Sequence, residues 1–159
     1  MEFKKFEMYS KINFNGALKG CKYSLMLDDE TTLKFNHGRA LEFSLQKANG
    51  YKELKLENVN HRIAGDININ GKEYNIKSYK CELKSEGKDK TEKIKNYIKE
   101  DASAGLIYIV EIEKQLVAIK MNWTEAEKFL QIFGVIESSN NLRVRTCDKK
   151  IYQWAMLQK

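Results

Sequence analysis

The sequence predicts an α/β (α+β) domain with a mixed β-sheet flanked by helices. Segments of helical and extended period alternate in the order helix, strands, helix, strands, helix, which is the pattern of helices packed on a mixed sheet. The dipeptide Asn70-Gly71 stands between two runs of strand character, and both of its residues tolerate the positive φ of a tight hairpin turn. A chain of 159 residues that is 42% hydrophobic suits one ordinary core, so residues 1–159 read as a single domain.

The first 36 residues are ambiguous. Phe3, Phe6, Met8, Ile12 and Phe14 fit strands or an irregular helix, and Tyr23 to Leu27 reads as extended. From Gly38 to Ala48, the apolar residues Ala40, Leu41, Phe43, Leu45 and Ala48 predict a helix capped by Asn36 and stopped by Asn49-Gly50. Leu54, Leu56 and Val59 suggest a short strand; His61 to Ile69 and Lys72 to Leu83 then form the two arms of the hairpin. Asp89, Thr91 and Glu92 open a helix with Ile94, Tyr97 and Ile98 on its apolar side, ending near Ala102 to Gly105. Leu106 to Ile112 and Leu116 to Met121 make a second hairpin about Glu113-Lys114. Thr124-Glu-Ala-Glu127 reads as a capping box for a helix that buries Ala126, Phe129, Leu130 and Phe133 and closes at Gly134. A strand near Leu142 to Arg145 and a helix containing Ile151, Trp154 and Leu157 follow. Tyr108, Trp123, Phe129, Phe133 and Trp154 lie in periodic apolar segments and are assigned to the core.

No stretch approaches the roughly 20 apolar residues of a membrane span, and Met1-Glu-Phe-Lys-Lys-Phe-Glu7 lacks a signal-peptide core, so a cytoplasmic protein without membrane association is expected. Cys21, Cys81 and Cys147 are odd in number and widely spaced, which points to free thiols in a reducing compartment rather than disulfides or zinc. His37 and His61 have no partner at metal-ligand spacing. The 28 Lys+Arg against 22 Asp+Glu leave a charge of +6, compatible with a polyanionic partner. Only Arg39, Arg62, Arg143 and Arg145 are arginines, so backbone contact fits better than base-by-base readout.

With Asn70 and Gly71 as turn residues, Ile69 faces Lys72, and counting outward sets Asp66 opposite Asn75. Lys77 then lies diagonally across from Asp66 at about 7 to 8 Å. Ile67, Ile69, Tyr74 and Ile76 form the opposite, apolar face and hold this register, because a one-residue slip would bury Asp66 and Lys77. A carboxylate, an amide oxygen and an ammonium converging on one surface suit phosphodiester hydrolysis with a hard divalent ion. On spacing alone the same residues read as a solvent-facing pair with a weak ion contact.

Asn36-His-Gly-Arg-Ala-Leu-Glu42, Arg62-Ile-Ala-Gly-Asp66 and Asn70-Gly-Lys-Glu-Tyr-Asn-Ile-Lys77 together resemble the helix, strand and hairpin core of PD-(D/E)XK nucleases, including resolvase-like and restriction-endonuclease-like members. The resemblance covers about residues 36 to 83 and implies a restriction-endonuclease-like core. It implies Asp66 as the metal-binding aspartate, Lys77 as the catalytic lysine and Glu42 as the acidic residue of the preceding helix. Asn75 stands where the family usually has Glu or Asp; its oxygen can still coordinate Mg²⁺ or Mn²⁺ but adds no charge. The catalytic set is thus Asp66, Lys77, Glu42 and Asn75, with Asp66, Glu42 and Asn75 on the metal. Arg62, Lys80 and Lys84 are candidates for phosphate contact, and Tyr79 for stacking or simple packing.

The leading expectation is a Mg²⁺-dependent DNA endonuclease, with a homodimer as the way to cut two strands. The alternatives are a catalytically impaired nuclease-like domain that binds nucleic acid or a protein partner, and a small inhibitor or adaptor such as a phage-encoded blocker of a host defence complex. Fold analogy is a prior for function only.

Overall fold

The computed structural model describes residues 1–16, 22–54 and 65–159. Its elements in chain order begin with β1 (Glu2–Phe6), β2 (Asn13–Phe14), β3 (Tyr23–Met26), β4 (Thr32–Phe35), α1 (His37–Ala48), β5 (Ile67–Ile69) and β6 (Lys72–Ser78). There follow β7 (Glu82–Lys84), α2 (Lys90–Glu100), β8 (Gly105–Ile112), β9 (Gln115–Asn122), α3 (Trp123–Phe133), β10 (Gly134–Ser138), β11 (Asn141–Val144) and α4 (Asp148–Leu157). The class is α+β with a mixed sheet. The chain falls into two units, Met1–Lys5 with Asn60–Lys159, and Phe6–Val59.

In the larger unit a five-stranded sheet runs in the order β1-β9-β8-β6-β5. The β5–β6 hairpin has the expected register, Ile69↔Lys72 to Ile67↔Tyr74, about a turn with φ of 53° at Asn70 and 85° at Gly71. β6 is parallel to β8, a pairing that needs a crossover, and α2 lies within it. β8 and β9 pair antiparallel about Glu113 and Lys114, at φ 50° and 67°. On one face of this sheet Leu106, Tyr108, Ile119 and Met121 pack with Ile94 of α2, Phe129 and Leu130 of α3, and Ile151 and Ala155 of α4. Tyr108 and Phe129 are fully buried, while Trp123, Phe133 and Trp154 are partly buried against the same cluster.

Three elements differ from the sequence reading. The arm expected from Lys72 to Leu83 breaks after Ser78, because Lys80 takes φ 51°; residues 82–84 join a second sheet, β10-β11-β7. β10 was read only as the glycine stop of a helix; Gly134 is extended, at φ −79° and ψ 141°, and starts the strand. The capping box of α3 is Asn122 with Glu125, not Thr124 with Glu127, because β9 runs straight into the helix and its last residue is the cap. The last helix contains Ile151, Trp154 and Leu157 as expected; Ile151 is buried and Leu157 is 83% exposed.

In the smaller unit β2, β3 and β4 form an antiparallel sheet, so the described residues of the ambiguous N-terminal stretch form strands. Ile12, Leu25 and Phe35 pack with Ala40 and Phe43 of α1. Asn36 caps α1 by accepting the Arg39 N–H at 2.9 Å, and Gly50 leaves it at φ 85°, as expected. The strand expected around Leu56 and Val59 lies outside the described residues, as do His61 and Arg62. No helix of the described residues is long and apolar enough to cross a membrane.

Candidate active site

The site grows from the place where β5 leaves β6. The ladder stops at Ile67↔Tyr74, one pair before the expected Asp66 and Asn75. Instead the Asp66 N–H donates to the Tyr74 carbonyl at 2.8 Å, and its carboxylate Oδ2 accepts the Ile76 N–H at 2.8 Å. That carboxylate thus satisfies an edge amide that β5 no longer covers. Gly65 makes the approach possible: a Cβ there would stand 2.9 Å from the Tyr74 oxygen and 3.0 Å from its nitrogen.

Asn75 and Lys77 pair with Leu106 and Tyr108, so they share the face on which the helices pack. Both are half-buried. The Asn75 amide Nδ2 donates to Oδ2 of Asp101, a residue absent from the sequence-based candidates. Asp101 ends α2, with its N–H on the Ile98 carbonyl, and its Oδ1 accepts the Ser103 N–H at 2.7 Å. Ser103 is held in turn by its Oγ on the Gly105 carbonyl at 3.1 Å and by the Trp123 indole N–H on its own carbonyl at 2.9 Å. Asp101 is therefore fixed from both sides of the α2–β8 connection.

Tyr97, one turn before Asp101, also belongs to this group. Burial pushes its phenol well above the ordinary value, and the negative charges of Asp101, Cys81 and Asp66 act in the same direction. Burial likewise raises the Cys81 thiol to about 11, against the opposing charges of Lys77 and Arg143. Cys81 is a free thiol, as is the exposed Cys147. Sequence reading placed Tyr97 on the apolar side of its helix and gave Asp101 no role. One signal pointed to Asp101: an acidic residue at a helix C-terminus opposes the macrodipole and calls for a compensating partner.

The other candidates are dispersed. Glu42 lies on α1 in the smaller unit, where Arg39 Nη1 is 3.3 Å from both of its carboxylate oxygens. Tyr79 and Lys80 lie in the turn after β6, not on its face; Tyr79 is 61% exposed, with the Lys80 ammonium 5.0 Å from its ring. Lys84 is on β7 in the second sheet.

Asp66, Asn75 and Lys77 are thus grouped about the end of β5, with Asp101 joined to them through Asn75. No family model, curated protein or solved structure matches the chain. Among the described residues no group of three or more His, Cys, Asp or Glu is arranged to hold a metal. Two carboxylates and an amide oxygen are still a set of hard donors, and Mg²⁺ is commonly held by one or two carboxylates together with substrate phosphates.

Proposed function

We propose that the chain is a Mg²⁺-dependent endonuclease that hydrolyses DNA phosphodiester bonds at the Asp66, Asn75 and Lys77 centre. The observation that carries this reading is the hydrogen bond from Asn75 to Asp101, which brings a second carboxylate to the strand that lacks one of its own. Asp66, Asp101 and the Asn75 carbonyl oxygen would hold the ion. The ion, when bound, polarises the phosphate and lowers the pKa of water. Lys77, on the same face and two residues beyond Asn75, would orient the attacking water and stabilise charge developing on the phosphate. Asn75 and Lys77 are half-buried, so the effective dielectric at the site is below that of bulk water, which strengthens both interactions.

A second reading rests on the bond from the Ile76 N–H to Asp66. A carboxylate that closes a strand edge has a structural job, and with Asn75 in the usual acidic position it suits a nuclease-like domain that binds nucleic acid without cutting it.

The deciding experiment incubates plasmid, single-stranded and branched DNA with the protein in Mg²⁺, Mn²⁺ or EDTA, beside Lys77→Ala. Metal-dependent cutting that falls about 10²-fold or more in Lys77→Ala is the expected result. Intact DNA in both metals, with folded protein still binding it, selects the second reading. Glu42→Gln in the same assay tests the role that the resemblance assigns to that residue.

A further inference from the structure

We propose that the smaller unit binds a short zwitterionic peptide, of dipeptide size, in an open cavity of about 380 Å³ lined by the β3–β4 turn and the end of α1. Leu25, Leu27 and Leu54, with Tyr9, give this cavity an apolar lining that belongs to the core of the unit. Hydrogen bonds hold both of its sides in place. Tyr9 is tied to α1 by its N–H on Ser44 Oγ at 2.8 Å. The turn is closed by the Leu27 N–H on the Thr31 carbonyl at 2.8 Å and the Glu30 N–H on the Leu27 carbonyl at 2.9 Å. A cavity of this volume holds a small molecule, and its lining lies wholly within residues 6–59.

Charge selects the occupant. Lys11, Lys47 and Lys52 line the cavity together with Asp28, Asp29 and Glu53. Among the described residues none of these six forms an ion pair, so charges of both signs face one space without cancelling each other. The Lys47 ammonium lies 5.2 Å from the centre of the Tyr9 ring and donates to the Lys52 carbonyl at 2.9 Å, which fixes its position and leaves two of its three donors for a ligand. Asp29 accepts the Thr31 N–H at 3.0 Å, and that bond holds its carboxyl below the ordinary value, so it is charged at neutral pH. A purely anionic ligand would meet three carboxylates here, and a purely cationic one three ammonium groups. An uncharged ligand would strip water from all six without replacing it. An apolar body with an ammonium at one end and a carboxylate at the other matches the lining and both sets of charges at once. A dipeptide separates its termini by one residue more than a free amino acid does, about 3.5 Å of chain, which suits charges that do not touch.

The test is isothermal titration of the full chain in EDTA with leucyl-leucine and phenylalanyl-leucine, each also as its N-acetyl, C-terminal amide and doubly capped forms. The free dipeptides bind, and each single cap weakens them by about tenfold. Lys47→Met weakens the free dipeptides to the same extent and leaves the amide forms unchanged. Asp28→Asn combined with Asp29→Asn does the same for the N-acetyl forms, and Asn keeps an acceptor for the Thr31 N–H, so the turn stays closed. Equal binding of the free and doubly capped dipeptides overturns the proposal, as does affinity unchanged in both variants. Binding of neither dipeptide at millimolar concentration overturns it too. Asp66, Asn75 and Lys77 lie in the larger unit, so failure of the cleavage assay leaves these outcomes untouched.

Discussion

Asn75 shows how one amide can serve two purposes. Its NH₂ donates to a carboxylate oxygen of Asp101, a hydrogen bond that a carboxylate at the same position could not donate. Asn75→Asp would bring two negative charges together and is expected to cost about 2 kcal/mol in EDTA. The deficit has a definite pH dependence. Like charges raise the pKa of one carboxyl in the folded state above its unfolded value near 4, so the folded protein binds that proton more tightly. Stability relative to wild type therefore recovers as pH falls through the carboxylate range and is lowest at neutral pH. Mg²⁺ should raise the melting temperature of Asn75→Asp more than that of the wild type, because the added charge becomes a ligand. Equal shifts for the two proteins would show that this strand end is no ion site. The hairpin register was legible because Asn70-Gly71 and the apolar Ile67, Ile69, Tyr74 and Ile76 point the same way. Asp101 was not, because its partner lies 26 residues away and no local pattern names it.

At the level of elements, local signals succeeded where one element decided its own boundary. Asn36 and Gly50 frame α1 as read, and Glu113 and Lys114 supply the left-handed turn of the β8–β9 hairpin. They failed where a neighbour decided. Thr124 with Glu127 has the spacing of a capping box, yet β9 extends to Asn122 and hands that residue the cap. Asn122 accepts the Glu125 N–H at 2.8 Å, and Glu125 accepts the Asn122 N–H at 3.0 Å. Asn122→Ala should therefore lower stability by about 1 kcal/mol and Thr124→Ala by much less, as read from urea unfolding midpoints at unchanged slope. The reverse order would return the cap to Thr124. β10 escaped notice for the same reason: Gly134 was read as a stop, whereas its extended backbone finds partners in β11, with Gly134 opposite Val144.

For the whole molecule, charge is the property most directly readable, and it separates two modes of nucleic-acid binding. A net +6 attracts any polyanion diffusely, whereas a defined site engages particular phosphates. The two differ in salt dependence. Each phosphate neutralised on a single strand contributes roughly −0.7 to the slope of log K against log salt. Replacing Lys22 and Lys34 together by Ala should therefore flatten the oligo-dT slope by roughly 1.4. A control pair in the larger unit, Lys95 and Lys99, both exposed on α2, tests the diffuse alternative. If removing that pair flattens the slope as much as removing Lys22 and Lys34, the net charge governs binding. If only Lys22 and Lys34 matter, the strand lies along the smaller unit, which carries both.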